Sequence, residues 1–220
     1  METLKQVLGY IGHNMPYILG LARQHLMLVG IAVGLAVLIG VPLGMMIIRF
    51  RTLATGVLGF ATVLLTIPAI ALFGLMIPVF SMIGQGIGAV PAISAAFLYS
   101  LLPIVRSTYT ALTDISPGVR EAGLGIGLSS WQRLRWVELP LAVPVIFSGI
   151  RTAVILNISV MAIASIIGAG GLGTLILHGI SQSDIRMLLT GAVMVSLLAI
   201  GMDWVLLQLQ GVLTPKGIRK

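Results

Sequence analysis

The sequence predicts an all-α, polytopic membrane protein with about five transmembrane helices. Three observations carry that prediction. Hydrophobic residues make up 58% of the 220 and charged residues 9%, with a mean hydropathy of +1.11. A soluble domain carries roughly a quarter of its residues as Asp, Glu, Lys and Arg. The uncharged runs at 26–48 and 52–105 are also long, and about 20 apolar residues cross the hydrocarbon core as a helix. Finally, Gly84-Gln85-Gly86-Ile87-Gly88 divides the second run into two spans.

Taken in order, the spans are expected near 26–48, 57–83, 89–106, 141–167 and 187–210. Residues 1–25 lack the signal-peptide pattern of basic start, apolar centre and small-residue cleavage site. With Lys5, Arg23 and alternating apolar positions they read as an interfacial helix leading into the first span. Residues 26–210 form the transmembrane domain, with a loop at about 107–139, and 211–220 form a tail. An odd number of spans puts the termini on opposite sides. With the N-terminus outside, the inner segments hold Arg49, Arg51, Arg106, Arg120, Arg133, Arg135, Lys216, Arg219 and Lys220. The outer segments hold Lys5, Arg23 and Arg186, and Arg151 lies within the fourth span. The positive-inside rule favours that orientation. The net charge of +7 is therefore a matter of topology, and no soluble basic face invites nucleic acid.

Within the first span, Gly30-x3-Gly34 and Gly40-x3-Gly44 offer close helix contacts. Pro42, Pro68, Pro78 and Pro103 are expected to kink their spans. The loop at 107–139 interrupts the apolar pattern with helix-start chemistry. Thr113-Asp114-Ile115-Ser116-Pro117 supplies polar caps followed by a proline, which a first helical turn tolerates. A short helix is expected over 118–128 and a second over 131–137, the latter capped at Ser129-Ser130. Gly123, Gly125 and Gly127 each cost about 1 kcal/mol relative to Ala in a helix, so close approach of another surface would explain them. The physics leaves two readings open: a docking surface for a soluble partner, or an amphipathic hairpin on the lipid headgroups anchored by Trp131, Trp136, Arg133 and Arg135.

Other features carry further expectations. Gly168-Ala169-Gly170-Gly171-Leu172-Gly173 cannot be a comfortable helix interior. Broken helix at membrane depth occurs where backbone lines a cavity or is buried in protein. The segment is therefore either an outer loop or a gate lining, with Gly168, Gly170, Gly171 and Gly173 as gate candidates. Arg151 and Asp203 are intramembrane charges, for which a mutual ion pair is the economical proposal. Asn157 and Ser159 are expected to hydrogen-bond between helices. His13, His25 and His178 lie outside the spans with no ligand-spaced partner, so no metal site is expected. No Gly-Lys dipeptide occurs, which excludes a P-loop, and there is no Cys for thiol chemistry.

The spacing Glu121-Ala122-Gly123-x3-Gly127-x9-Val137-x-Leu139-Pro140 resembles the E-A-A-x3-G-x9-I-x-L-P signature of permease subunits in type I ABC importers. It departs at Gly123 and Val137, both mild changes. The resemblance implies coupling helices that fit a cleft on a cytoplasmic ATPase, with Glu121, Ala122, Gly123, Gly127, Leu139 and Pro140 at that joint. It implies a transport subunit rather than an enzyme, with no cofactor on this chain and ATP and Mg on the partner. It also implies a second permease chain, an outer substrate-binding protein and residence in the bacterial inner membrane. Ile166–Gly173, together with Val137–Ile146 and Gly149–Ala153, is similar to importers for osmoprotectants such as glycine betaine, carnitine and choline. A methionine-type importer is the alternative within the class, and an ATP-independent carrier or channel the alternative outside it. A membrane anchor would not need five Gly- and Pro-rich spans. The aromatics are scattered and form no evident cage for a quaternary ammonium, in keeping with ligand selection by a separate binding protein.

Overall fold

A computed structural model describes residues 2–214, and they are helical, with no strand among the described residues. In order the elements are α1 (Glu2–Ile47), α2 (Arg51–Thr66), α3 (Ala69–Ser81), α4 (Ala89–Thr113), α5 (Pro117–Gly125) and α6 (Ser130–Arg133). A π turn (Leu134–Glu138) leads into α7 (Leu139–Ile163), and a 3-10 turn (Ala164–Ile167) ends it. Then follow α8 (Gly173–Ser181) and α9 (Ile185–Leu213). Four stretches are long and apolar enough to cross a membrane, and α2 with α3 makes a fifth if the bent pair counts as one span.

Three expectations need revision. From Glu2 onward the expected N-terminal helix and the first span are one helix, because α1 runs unbroken through Pro16 and Pro42. Its 46 residues extend about 69 Å by helical rise. Ile18 and Leu21, from its N-terminal half, pack on Leu172 and Leu175. The second span is not one kinked helix: α2 and α3 meet at 103° around Pro68. The hydroxyl of Tyr99 on α4 donates to the Ile67 carbonyl, so a neighbouring helix satisfies a backbone group freed at the break. Finally, α9 continues through Gly211 to Leu213, so the expected tail at 211–220 begins as helix, and 215–220 lie outside the described residues.

The core is built where α4 and α7 cross each other and α1. Ala92, Ala95 and Ala96 of α4 face Ala32, Ala36, Ala153 and Ile158, all fully buried. Small residues let the helix backbones approach closely, which is how packing replaces the hydrophobic effect inside a bilayer. A Cβ on Gly44 would stand 2.6 Å from Thr108 Cβ, so the Gly40-x3-Gly44 pair is a tight α1–α4 contact. Gly30 and Gly34 have open space instead and make no such contact. Asn157 Nδ2 donates to Ser100 Oγ at 2.6 Å and ties α7 to α4, while Ser159 is exposed. Towards one end, Val41 and Met45 of α1, with Ile48 just beyond it, close over Ala111, Leu112, Ala142 and Ile146. That cluster is the platform for the segment between α4 and α7.

Candidate functional site

Residues 114–138 fold into a hairpin of two short helices standing on the ends of α4 and α7. Ser116 occupies the N-cap position of α5 and Pro117 its first turn, where the missing N–H costs nothing. The far end of α5 closes by a Schellman motif: Leu128 N donates to Gly123 O at 3.1 Å and Gly127 N to Leu124 O at 2.9 Å. Gly127 has φ +81°, the left-handed geometry this closure demands. Ser129 and Gln132 form a reciprocal capping box at the start of α6, with Ser129 N donating to Gln132 Oε1 at 2.8 Å. The first expected helix is present, shortened to Pro117–Gly125, while the second, Ser130–Arg133, runs on without a break through the π turn into α7.

The glycines, however, serve the hairpin itself. A Cβ on Gly123 would meet Arg133 Cγ and Cδ at 3.3 Å, so the surface that approaches its backbone belongs to this chain. Gly127 is required by φ, with open space around it. Glu121 and Ala122 are exposed, as are Leu124, Ile126 (77%), Trp131 (64%) and Trp136. Exposed apolar and aromatic side chains grouped on one projecting hairpin are the kind of patch that marks a contact with protein or membrane. Leu139 packs beside Ala111, Leu112, Ala142 and Ile146, and Pro140 lies in the first turn of α7. Both root the hairpin in the bundle.

One charged residue was not legible as a site member. Glu138, almost fully buried at the end of the π turn, accepts from Arg133 Nε at 2.7 Å. The Nε of Arg120 stands 3.7 Å from the same carboxylate oxygen. Arg120 Nη2 also donates to the Leu112 carbonyl at 2.6 Å, on the last turns of α4. An acidic residue between Arg135 and a proline-started span was the available signal.

At the opposite end, each candidate gate glycine has a distinct packing reason. Gly168 (φ +79°) closes the 3-10 turn, with Ala169 N on Ala164 O at 3.2 Å and Gly168 N on Ser165 O at 3.0 Å. Gly170 (φ +81°) and Gly171 (φ +77°) let the chain wrap Gln24 and His25 of α1. Gln24 Oε1 accepts from Gly171 N at 3.0 Å, and Gln24 Nε2 donates to Ala169 O at 3.3 Å. A Cβ on Gly173 would lie 2.0 Å from Ala162 O. Ala169, Gly171, Leu172 and Gly173 are buried. Backbone irregularity here is sheltered in protein, one of the two conditions under which membranes tolerate it. His25, expected outside the spans, is fully buried and bonds the Ile158 carbonyl through Nε2 at 3.0 Å.

Arg151 and Asp203 form a two-pronged ion pair between α7 and α9, with Arg151 Nη2 on Asp203 Oδ2 at 2.6 Å and a second contact through Nε. Among the described residues no group of three His, Asp or Glu could hold a metal.

Residues 16–216 match the family described as binding-protein-dependent transport system inner membrane component. The chain belongs to that family. The permease is 68% identical over 219 residues, the whole of both chains, to the osmoprotectant import permease protein OsmW of Salmonella typhimurium. It is 46% identical over 134 residues to the glycine betaine/carnitine/choline transport system permease protein OpuCB of Bacillus subtilis, covering 61% of this chain and 62% of that one. Its fold matches a chain of the MetNI methionine ABC transporter in an inward-facing conformation with a TM-score of 0.80. That match spans 91% of this chain and 98% of the other at 24% identity. A second match, to an amino acid ABC transporter, has a TM-score of 0.73 at 19% identity over 93% and 95% of the two chains. The permease therefore has the helical architecture of ABC importer permeases and a role in transport.

Proposed function

We propose that this permease forms the translocation path of an ATP-driven importer for osmoprotectants of the glycine betaine, carnitine and choline class. The observation that carries the substrate class is full-length identity of 68% to an osmoprotectant import permease. Similarity to the methionine transporter, at 24% identity, speaks to architecture alone. In this reading an ATP-binding subunit, holding ATP and Mg, docks on α5 and α6 from the cytoplasm. A second permease chain completes the path, and an extracytoplasmic binding protein delivers the substrate over the end that carries Gly168–Gly173. The arginines at the hairpin end, Arg49, Arg120, Arg133 and Arg135, support a cytoplasmic hairpin and an outer N-terminus.

The mechanism follows from the hairpin's construction. Closure of a cleft around α5 and α6 favours whichever arrangement of α4 and α7 the hairpin fits better, and that difference in contact drives the change of state. A gradient-driven carrier would use ionisable residues along its path, yet Arg151 and Asp203 are engaged with each other.

Co-purification from native membranes in mild detergent tests the docking, with wild type compared against Glu121→Lys and Ala122→Trp, both at exposed positions of α5. An ATPase that accompanies wild type and is lost from both variants is the expected result. Uptake by the purified complex in liposomes, with glycine betaine or methionine and the matching binding protein, then tests the substrate class. A monodisperse wild type without ATPase would overturn the docking, and uptake of methionine alone would overturn the substrate.

A further inference from the structure

The buried carboxylate of Glu138 has a role that the docking surface does not explain. It sits at the junction of the hairpin with α7, at a position the E-A-A-type spacing leaves open. Three elements meet on it: the π turn that carries it, α6 through Arg133 and α5 through Arg120. Arg120 extends the chain of contacts to the Leu112 carbonyl of α4. Both arginines come from the hairpin, while Leu112 and Leu139 mark its two roots. The aliphatic part of Arg133 lies close against α5, with its Cγ and Cδ 3.3 Å from where a Cβ on Gly123 would stand.

We propose that Glu138 is a positioning residue for energy coupling, clamping α5 and α6 to the ends of α4 and α7 so that they move as one body. Without the clamp, a push on the exposed face would bend the loop at its roots. With it, the push displaces α4 and α7, whose crossing forms the core. The buried Nε of Arg120 has no hydrogen-bond partner and depends on the carboxylate 3.7 Å away for its compensation. Loss of the carboxylate would leave two arginines facing one another in a partly buried site, which pushes α5 and α6 apart. The inference rests on the reading that an ATP-hydrolysing subunit acts on this hairpin, but the clamp itself belongs to this chain alone.

Two readouts separate those levels. The chain contains no cysteine, so Ile126→Cys, 77% exposed at the hairpin tip, can carry the one spin label. In the purified permease, Glu138→Gln and Arg133→Gln should each loosen the label, and the double variant should loosen it no further. In the liposome-reconstituted complex with its ATPase and binding protein, Glu138→Gln should retain the ATPase subunit and its hydrolysis. Substrate imported per ATP hydrolysed should fall about tenfold or more, the scale of a lost hydrogen bond to a charged group. Glu138→Asp should recover part of that ratio. Unchanged label mobility in both single variants, or an import-to-hydrolysis ratio within about twofold of wild type, would overturn the clamp. If no ATPase accompanies the wild type, the docking reading fails while the label still decides the clamp. Should Glu138→Gln not fold, Arg133→Gln takes its place in both measurements.

Discussion

Gly170→Ala is a substitution of one methyl group with two separable costs. At φ +81° an alanine sits in left-handed geometry, which costs about 1–2 kcal/mol. Its Cβ would also stand 2.4 Å from Gln24 Nε2 and 2.6 Å from Gln24 Oε1. The Gln24 amide can swing away, but it then gives up its bonds to Gly171 N and Ala169 O, each worth about 0.5–1.5 kcal/mol net. The sum is about 2–5 kcal/mol of destabilisation. Gly127→Ala, also at φ +81° but with open space, should lose only the backbone part, about 1–2 kcal/mol. Unfolding of the purified permease by a denaturing detergent, followed by fluorescence of its tryptophans, measures both. In a Gln24→Ala background the Gly170→Ala cost should shrink to that of Gly127→Ala. If Gly170→Ala and Gly127→Ala cost the same in the wild-type background, the packing of the loop on Gln24 is wrong.

Other perturbations follow from single contacts. Ser183, two residues beyond the end of α8, has φ +53°, the one non-glycine among the described residues with positive φ; Ser183→Gly should raise stability in the same unfolding assay by up to about 1–2 kcal/mol. Asp184 accepts from Arg186 at 2.9–3.0 Å and from the Arg186 backbone N–H, and this hydrogen bonding to Arg186 holds its carboxyl below the ordinary range. A lowered folded-state pKa adds stability above the unfolded value of about 3.9, and that stability is lost as pH falls through the folded value. Asp184→Asn should therefore be less stable than wild type at pH 7, with the gap closing as the assay is taken to pH 3 and below. Arg151→Asp and Asp203→Arg should each reduce the monodisperse protein recovered from membranes, and the double exchange should restore it; a double variant no better than either single one would break the pairing.

Hydropathy reveals the long helices because a bilayer tolerates so few alternatives, and the two short helices of the hairpin are legible for local reasons. Pro117, Gly127 and the Ser129-x-x-Gln132 box each satisfy backbone groups within a few residues of themselves. Non-local contacts were harder to read. Pro68 marks a disturbance, but its turn of 103° is tied to a hydroxyl from Tyr99. Gln24 and His25 look like the polar edge of a span, yet they are the partners that Gly170 and Gly171 make room for, far away in the chain. Four glycines in six residues signalled that the helix breaks there, without indicating what the broken segment packs on. Glu138 escaped notice because no spacing rule connects it to Arg120; only the fold brings α5 beside the π turn. The Arg151–Asp203 pair was legible because a lone charge at that depth is too costly to stand unpaired.

Cysteine cross-linking tests most directly the claim that an ATP-hydrolysing subunit engages this hairpin. With no native cysteine in the chain, single cysteines at Ile126 or Trp131 probe the hairpin, and one at Met82, 87% exposed beyond α3, probes the opposite end. A short bifunctional reagent applied to native membranes should join the ATPase to the permease through Ile126 and Trp131, and not through Met82. Cross-links through Met82, or none through either hairpin position in a complex that retains its ATPase, would contradict the claim.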